Sequence, residues 1–211
     1  MAPQPKGCTR RWPCAAPAPA PACRAATWGM SMSSDEITTT SSRIAYENRW
    51  MRVREDRIAF ADGTPGLYGV VEKADFVLVV AREGDRVHMV EQYRYPVRRR
   101  QWEFPQGLME KGETDHAACA RRELREETGL DAASIVEAGE LFLAAGFCTQ
   151  PFRVFLATGL SPAAGVRDPE EQGMVARAFS IAEFEAMLRD GTMRDGVSVA
   201  AFGLLRARGM L

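Results

Sequence analysis

Three glutamates carry the strongest chemical signal in the sequence. Glu123, Glu126 and Glu127 stand at positions i, i+3 and i+4, so a helix would place their carboxylates on one face. Like charges within one turn repel one another unless a cation lies among them. Carboxylate oxygens suit Mg²⁺ or Mn²⁺ better than Zn²⁺. Arg122, one turn before Glu126, can hold a carboxylate through charge-assisted hydrogen bonds.

The segment before these glutamates has the features needed to position them. Gly107 and Gly112 bound a loop in which the backbone must approach something closely, and Glu113 follows it. A helix over about 115–128 is predicted to end at Gly129. An ordinary solvated acidic helix is the alternative interpretation. The glycine loop, Glu113 and Gly129 at these spacings favour a metal site instead.

At these residues the sequence resembles the Nudix hydrolases, whose motif is G-x5-E-x7-R-E-U-x-E-E-x-G-U, with U aliphatic. Every fixed residue is present, but eight residues rather than seven separate Glu113 from Arg122. An insertion within the helix would turn the carboxylate face by about 100°. We therefore expect the extra residue at the loop-to-helix junction, near 114–116. The matching residues are Gly107, Glu113, Arg122, Glu123, Leu124, Glu126, Glu127, Gly129 and Leu130.

Four further segments resemble the branch of ADP-ribose and nucleotide-sugar pyrophosphatases: 46–50, 68–72, 90–96 and 102–105. The resemblance implies an α/β fold of the Nudix type, an α/β/α sandwich with mixed, largely antiparallel sheets. It also implies a homodimer whose N-terminal strands cross between subunits, and hydrolysis that depends on Mg²⁺ or Mn²⁺.

The resemblance implies roles for individual residues as well. Arg94 is expected to contact substrate phosphate, which suits a guanidinium that grips two oxygens. The general base is expected on the loop at 168–172, where Glu171 is preferred to Glu170, unless a metal-bound glutamate activates water alone. The catalytic candidates are Arg122, Glu126, Glu127 and Glu171; the metal ligands are Gly107, Glu123, Glu126 and Glu127; the substrate-binding candidates are Arg52, Arg94, Glu103 and Gln106.

The leading hypothesis for function is hydrolysis of X–P–P–nucleoside to two monophosphates, where X is ribose or another sugar. Two departures bear on it: residues 144–146 are not the Ser-Pro-Gly of ADP-ribose enzymes, and 149–150 lack the acid that follows there. The run at 104–107 also occurs in the branch that trims dinucleoside polyphosphates and RNA 5′ ends, which is one alternative. A non-catalytic module that senses ADP-ribose is the other.

Hydrophobic periodicity predicts a mixed α/β domain around the motif. Ser180 and Glu183 form a capping box that opens a helix ended by Gly191, and a last helix is expected over about 197–208. Strands are predicted at about 50–58, 67–72, 76–80, 86–91, 102–104, 141–145, 152–157 and 175–179.

Composition divides the chain into two unlike parts. The 211 residues carry a net charge of −1, yet residues 1–34 contain no acid and residues 35–211 sum to −5. We expect 1–42 to be a Pro/Ala-rich disordered tail and linker, with a targeting peptide as the alternative, and 43–211 to be the Nudix domain. Near-neutral charge and short apolar runs predict neither DNA nor membrane as a partner. Five cysteines without metal-ligand spacing predict free thiols and a cytoplasmic protein.

Overall fold

The computed structural model describes residues 36–164 and 173–211. A 3₁₀ turn at Tyr95–Val97 joins two of the strands. The strands and helices, in chain order, are β1 (Ile37–Glu47), β2 (Arg52–Phe60), β3 (Pro65–Glu72), β4 (Phe76–Glu83), β5 (Arg86–Arg94), β6 (Arg99–Glu103), β7 (Gln106–Leu108), α1 (His116–Thr128), β8 (Leu130–Phe142), β9 (Pro151–Pro162), β10 (Val175–Ser180), α2 (Ile181–Asp190) and α3 (Gly196–Ala207).

The N-terminal sheet is an antiparallel meander of β1, β2 and β3. Its first strand begins at Ile37, so the prediction that 38–42 belong to a polar linker is wrong. The β-branched residues of this segment suit a strand, and Ile37 pairs with Phe60 across the ladder with β2. All eleven residues of β1 are exposed in the single chain, which is why the segment carries no alternating apolar pattern.

The central sheet has the order β10-β5-β4-β9-β8, with β6 beside β5 and β7 beside β4. Every described pairing between the strands of this sheet is antiparallel except that of β4 with β9. Strand β4 is buried on both faces: Val77 and Val79 pack towards α1, while Leu78 and Val80 belong to the core beneath α2 and α3. These layers confirm the predicted α/β/α sandwich with a mixed, largely antiparallel sheet.

Each of the three helices in the described ranges begins at a side-chain cap. The Asp115 carboxylate accepts hydrogen bonds from the amides of Ala117 and Ala118 at the start of α1, and Gly129 ends this helix with φ 70°. The predicted capping box of Ser180 and Glu183 is present at α2. These local signals explain why the helix positions follow the predictions closely. Among the described residues, no helix is long and apolar enough to cross a membrane.

Strand β8 departs from the prediction. It runs from Leu130 to Phe142 directly after α1, whereas the sequence indicated a strand only at 141–145. Its alanines and glutamates have weak strand propensity, and a register shift between Glu137 and Gly139 interrupts the alternation of side chains. Pairing with β9 along nearly its whole length supplies the stability that local propensity lacks.

Candidate active site

Helix α1 turns two buried glutamates towards the backbone of β7. Glu127 is only 2% exposed, and its carboxylate accepts a hydrogen bond from the Gln106 amide at 3.2 Å. Glu123 lies directly over Gly107: a Cβ built on this glycine would stand 1.9 Å from the Glu123 carboxyl carbon. Position 107 therefore has to be glycine for the Glu123 carboxylate to reach its place.

Arg122 is the cation around which the carboxylates gather. Its Nη1 donates to Glu123 Oε1 at 2.6 Å and to Glu126 Oε2 at 3.1 Å, and its Nη2 donates to the Leu108 carbonyl at 3.3 Å. Burial alone would lower the pKa of the Arg122 guanidinium, but the neighbouring Glu123 and Glu126 raise it overall. The mutual repulsion of the helical glutamates is thus relieved in part by this guanidinium.

The segment between Glu113 and Arg122 contains the start of α1. Helix α1 is continuous from His116, with Asp115 as its cap. Glu113 stays within reach of Arg122, with 3.6 Å between Oε2 and Nη2. Glu113 Oε2 also accepts the Glu110 amide at 3.0 Å, which closes the loop between β7 and α1.

The donor set fits a divalent cation in its chemistry. Within 36–164 and 173–211, no three His, Cys, Asp or Glu side chains form a ready-made metal cluster. Even so, Glu113, Glu123 and Glu126 share the Arg122 guanidinium, and Glu123 and Glu127 are buried beside the β7 backbone. Burying acidic groups in this way favours an additional cation bound by hard oxygen ligands.

A cleft of about 770 Å³ opens over this helix face. Its opposite wall is the β1–β2 turn, where the Asn48 side chain accepts the amides of Trp50 and Met51. Trp50 is 47% exposed, and the Arg49 guanidinium lies 4.3 Å from the centroid of its ring. The cleft therefore joins an aromatic wall to a charged floor.

The Arg94 side chain reaches the cleft from β5, and the Glu103 carboxylate binds its guanidinium on the side away from the cleft. Its Nη2 donates to Glu103 Oε1 at 2.7 Å, and its Nε donates to Glu103 Oε2 at 3.1 Å. Glu103 is fully buried and also accepts a hydrogen bond from the Gln92 side chain. Burial raises the pKa of Glu103, although Arg94 opposes the rise. Glu103 therefore lies behind Arg94 and does not line this cleft.

The cleft brings together most of the residues singled out in the sequence. Arg52 lies on its wall and pairs with Glu47 at 2.7 Å. Glu126 accepts a hydrogen bond from Arg122 but does not line the cleft, and Glu170 and Glu171 are outside the described residues. Trp50 and Lys73 also line the cleft and were not among the predicted site residues, because an isolated aromatic or lysine in a turn has no spacing to mark it. The predicted residues that line it are Arg52, Arg94, Gln106, Gly107, Arg122, Glu123 and Glu127.

Two family models match consecutive segments of the chain. Residues 72–202 match the NUDIX domain, and residues 37–71 match the nucleoside diphosphate sugar hydrolase N-terminal domain, which here is the sheet of β1 to β3. The chain belongs to the Nudix family, and it is a Nudix hydrolase. Members of this family generally use divalent metals.

Two curated relatives and one solved structure are similar to this chain over most of its length. The chain is 33% identical over 172 residues to the ADP-ribose pyrophosphatase of Mycobacterium tuberculosis, covering 80% of this chain and 83% of that protein. It is 22% identical over 179 residues to the ADP compounds hydrolase NudE of Escherichia coli, covering 84% and 95%. A crystal structure of an ADP compounds hydrolase has the same fold, with TM-score 0.73, 20% identity and coverage of 83% and 97%.

Proposed function

We propose that this Nudix hydrolase cleaves the diphosphate linkage of an ADP-ribose or nucleotide-sugar type compound to give two monophosphates. The observation that carries the proposal is the pair of buried carboxylates, Glu123 and Glu127, packed against the β7 backbone at the floor of a cleft that Arg94 and Trp50 line. The names of the relatives, an ADP-ribose pyrophosphatase and an ADP compounds hydrolase, support the same substrate class.

The cleft walls suit the two ends of a nucleotide. The exposed Trp50 ring offers a face on which a base can stack. Arg94, with its orientation fixed by the buried Glu103, presents its outer guanidinium edge to phosphate oxygens. Arg52 adds a second guanidinium, and its pairing with Glu47 and Glu72 keeps it on the cleft wall.

Catalysis in this proposal centres on α1. Mg²⁺ or Mn²⁺ would be held by Glu123, Glu126, Glu127 and the Gly107 carbonyl, and such an ion neutralises a diphosphate and lowers the pKa of an attacking water. Arg122 holds Glu123 and Glu126 in position through its guanidinium. Glu126 and Glu127 are the candidate proton acceptors among the described residues.

Glu171, outside the described residues, is the third candidate for the general base. Glu126→Gln, Glu127→Gln and Glu171→Gln, compared by kcat over a pH series, separate the three. We expect the variant of the true base to lose the acidic limb of the pH–rate profile, while a variant of a metal ligand raises the metal concentration needed for half-maximal rate.

We also propose a homodimer formed through the N-terminal sheet. Strand β1 is a long exposed edge strand, which is a ready template for pairing with another chain. Large apolar side chains, including Ile44, Tyr46 and Leu67, stay exposed on this sheet. Light scattering should give twice the mass of one chain, and Ile44→Lys should reduce it. A wild-type chain that is monomeric at micromolar concentration contradicts this proposal.

The cytoplasm is the proposed compartment, because Cys119 and Cys148, the cysteines in the described part of the chain, are both free. Fractionation of the source cells tests this assignment.

One substrate panel tests the proposed activity. Purified protein with Mg²⁺ is incubated with ADP-ribose, nucleotide sugars, diadenosine polyphosphates and capped RNA. We expect AMP or another nucleoside monophosphate from the first two classes, and loss of turnover on adding EDTA. Preferential cleavage of RNA ends or diadenosine polyphosphates would overturn the substrate assignment. The basic residues of the cleft are matched by acidic ones, which argues against a groove built for polyanions.

A further inference from the structure

A second cleft, of about 370 Å³, adjoins the catalytic one. It lies between the β3–β4 turn, the 3₁₀ turn and the start of α3, and its walls are mainly apolar. The two clefts meet along a shared boundary beside the buried carboxylates of α1. The residues that line both clefts are Lys73, Arg94, Gln106, Gly107 and Leu108.

Most of the basic side chains that line the catalytic cleft already form ion pairs with carboxylates. Arg52 is paired with Glu47 and Glu72, Arg94 with the buried Glu103, and Arg122 with the glutamates of α1. The Arg49 guanidinium lies over the Trp50 ring.

Lys73 stands apart from these arginines. Across the described ranges 36–164 and 173–211, it is the one basic residue of this cleft that makes neither an ion pair nor a ring contact. Its charge is therefore available for a ligand.

The backbone around Lys73 is held at two points. The buried Gln150 side chain donates to the Ala74 carbonyl at 2.5 Å. The Met109 amide, just after β7, donates to the Asp75 carbonyl at 2.9 Å. Lys73 therefore projects from a fixed turn beside the Gly107 segment, and only its flexible side chain has to be ordered when a ligand binds.

We propose that Lys73 binds a phosphate oxygen of the substrate's diphosphate where the two clefts meet, an inference that rests on the proposed function. A diphosphate seated at the shared boundary brings negative charge beside the acidic floor formed by Glu123 and Glu127, and it needs cations that carboxylates do not already neutralise. An ammonium group is a compact point charge with three donors, suited to a phosphate whose orientation Arg94 sets.

Binding of a ligand that cannot be hydrolysed tests Lys73 separately from turnover. The ligand is α,β-methylene-ADP, titrated calorimetrically with Mg²⁺ into the full chain. Lys73→Met removes the charge at similar length, and Lys73→Arg restores a cation. Arg189→Met, on the exposed end of α2 outside both clefts, removes the same net charge as a control.

We expect Lys73→Met to raise Kd at least tenfold and to reduce the dependence of Kd on salt, Lys73→Arg to stay within threefold of wild type, and Arg189→Met to be unchanged. Lys73→Met with wild-type affinity overturns the inference, as does an equal loss in Arg189→Met or a wild-type chain that does not bind the analogue. If the wild-type chain binds the analogue but does not turn over ADP-ribose, only the proposed function is overturned. The comparison of the Lys73 variants then still decides whether Lys73 binds the diphosphate.

Discussion

Replacing Gly107 by alanine tests the central geometry of the site. The added Cβ would meet the Glu123 carboxyl carbon at 1.9 Å and its oxygens at 2.1 and 2.2 Å, whereas ordinary contacts begin near 3.4 Å. The carboxylate must therefore retreat by about 1.5 Å, or the β7 backbone must shift by a similar amount. A misplacement of about 1 Å in an active site can cost roughly 100-fold in rate. The cost in stability is small, because the atoms that the added Cβ meets are the far end of the flexible Glu123 side chain.

We therefore expect Gly107→Ala to fold with little loss of stability and to lose about 100-fold in kcat with ADP-ribose and Mg²⁺. Gly203→Ala is the matched control, since Gly203 lies within α3 with no heavy atom within 4 Å of the added Cβ. This control should keep full activity and gain about 0.5–1 kcal/mol of stability. A Gly107→Ala enzyme within threefold of the wild-type kcat would refute the argument that Glu123 must lie against this backbone.

Three further variants probe the catalytic helix, the core and the pH response. Glu127→Gln should cut metal-dependent turnover by orders of magnitude with an unchanged circular dichroism spectrum, and near-normal turnover contradicts the metal-site proposal. Ser198 accepts the buried Phe104 amide at 2.8 Å, so Ser198→Ala should cost about 1–3 kcal/mol in denaturant unfolding; a loss below about 0.5 kcal/mol would exclude this role. Hydrogen bonds, first from Arg125, lower the pKa of Asp131 from 3.8 to about 2, so its stabilisation is present above pH 3.8 and disappears as the pH falls to about 2. The melting temperature of Asp131→Asn should therefore lie below that of wild type at pH 7 and converge with it near pH 2; a constant difference contradicts the assignment.

Local signals account for the parts of the fold that the sequence predicted well. The caps at Asp115 and Ser180 and the glycines that follow α1 and α2 act within one helical turn, so their effect can be read without tertiary information. Strands β1 and β8 depend instead on partners that are distant in sequence. Strand β1 is exposed over its whole length, and β8 has a weak local strand pattern. Pairing of β1 with β2 and of β8 with β9 therefore determines where these strands form.

The same distinction between local signals and tertiary contacts applies to the residues of the candidate site. The glutamates of α1 and the adjacent Arg122 share one short helical segment, and their spacing alone places them together. The burial of Glu103 behind Arg94 depends on the pairing of β5 with β6, and the place of Lys73 depends on the loops around Gln150 and Met109. No periodicity in the sequence connects these segments, so only the folded chain reveals them.

The distribution of charge around Arg122 changes how the acidic motif should be understood. Repulsion among the glutamates suggested that a metal ion must lie between them, yet the guanidinium already contacts Glu123 and Glu126 and lies near Glu113. A divalent ion would then act on carboxylates that Arg122 has oriented, and it need not hold the helix face together. It follows that removal of metal should abolish turnover while lowering the melting temperature only slightly, whereas loss of the Arg122 guanidinium should lower both activity and stability.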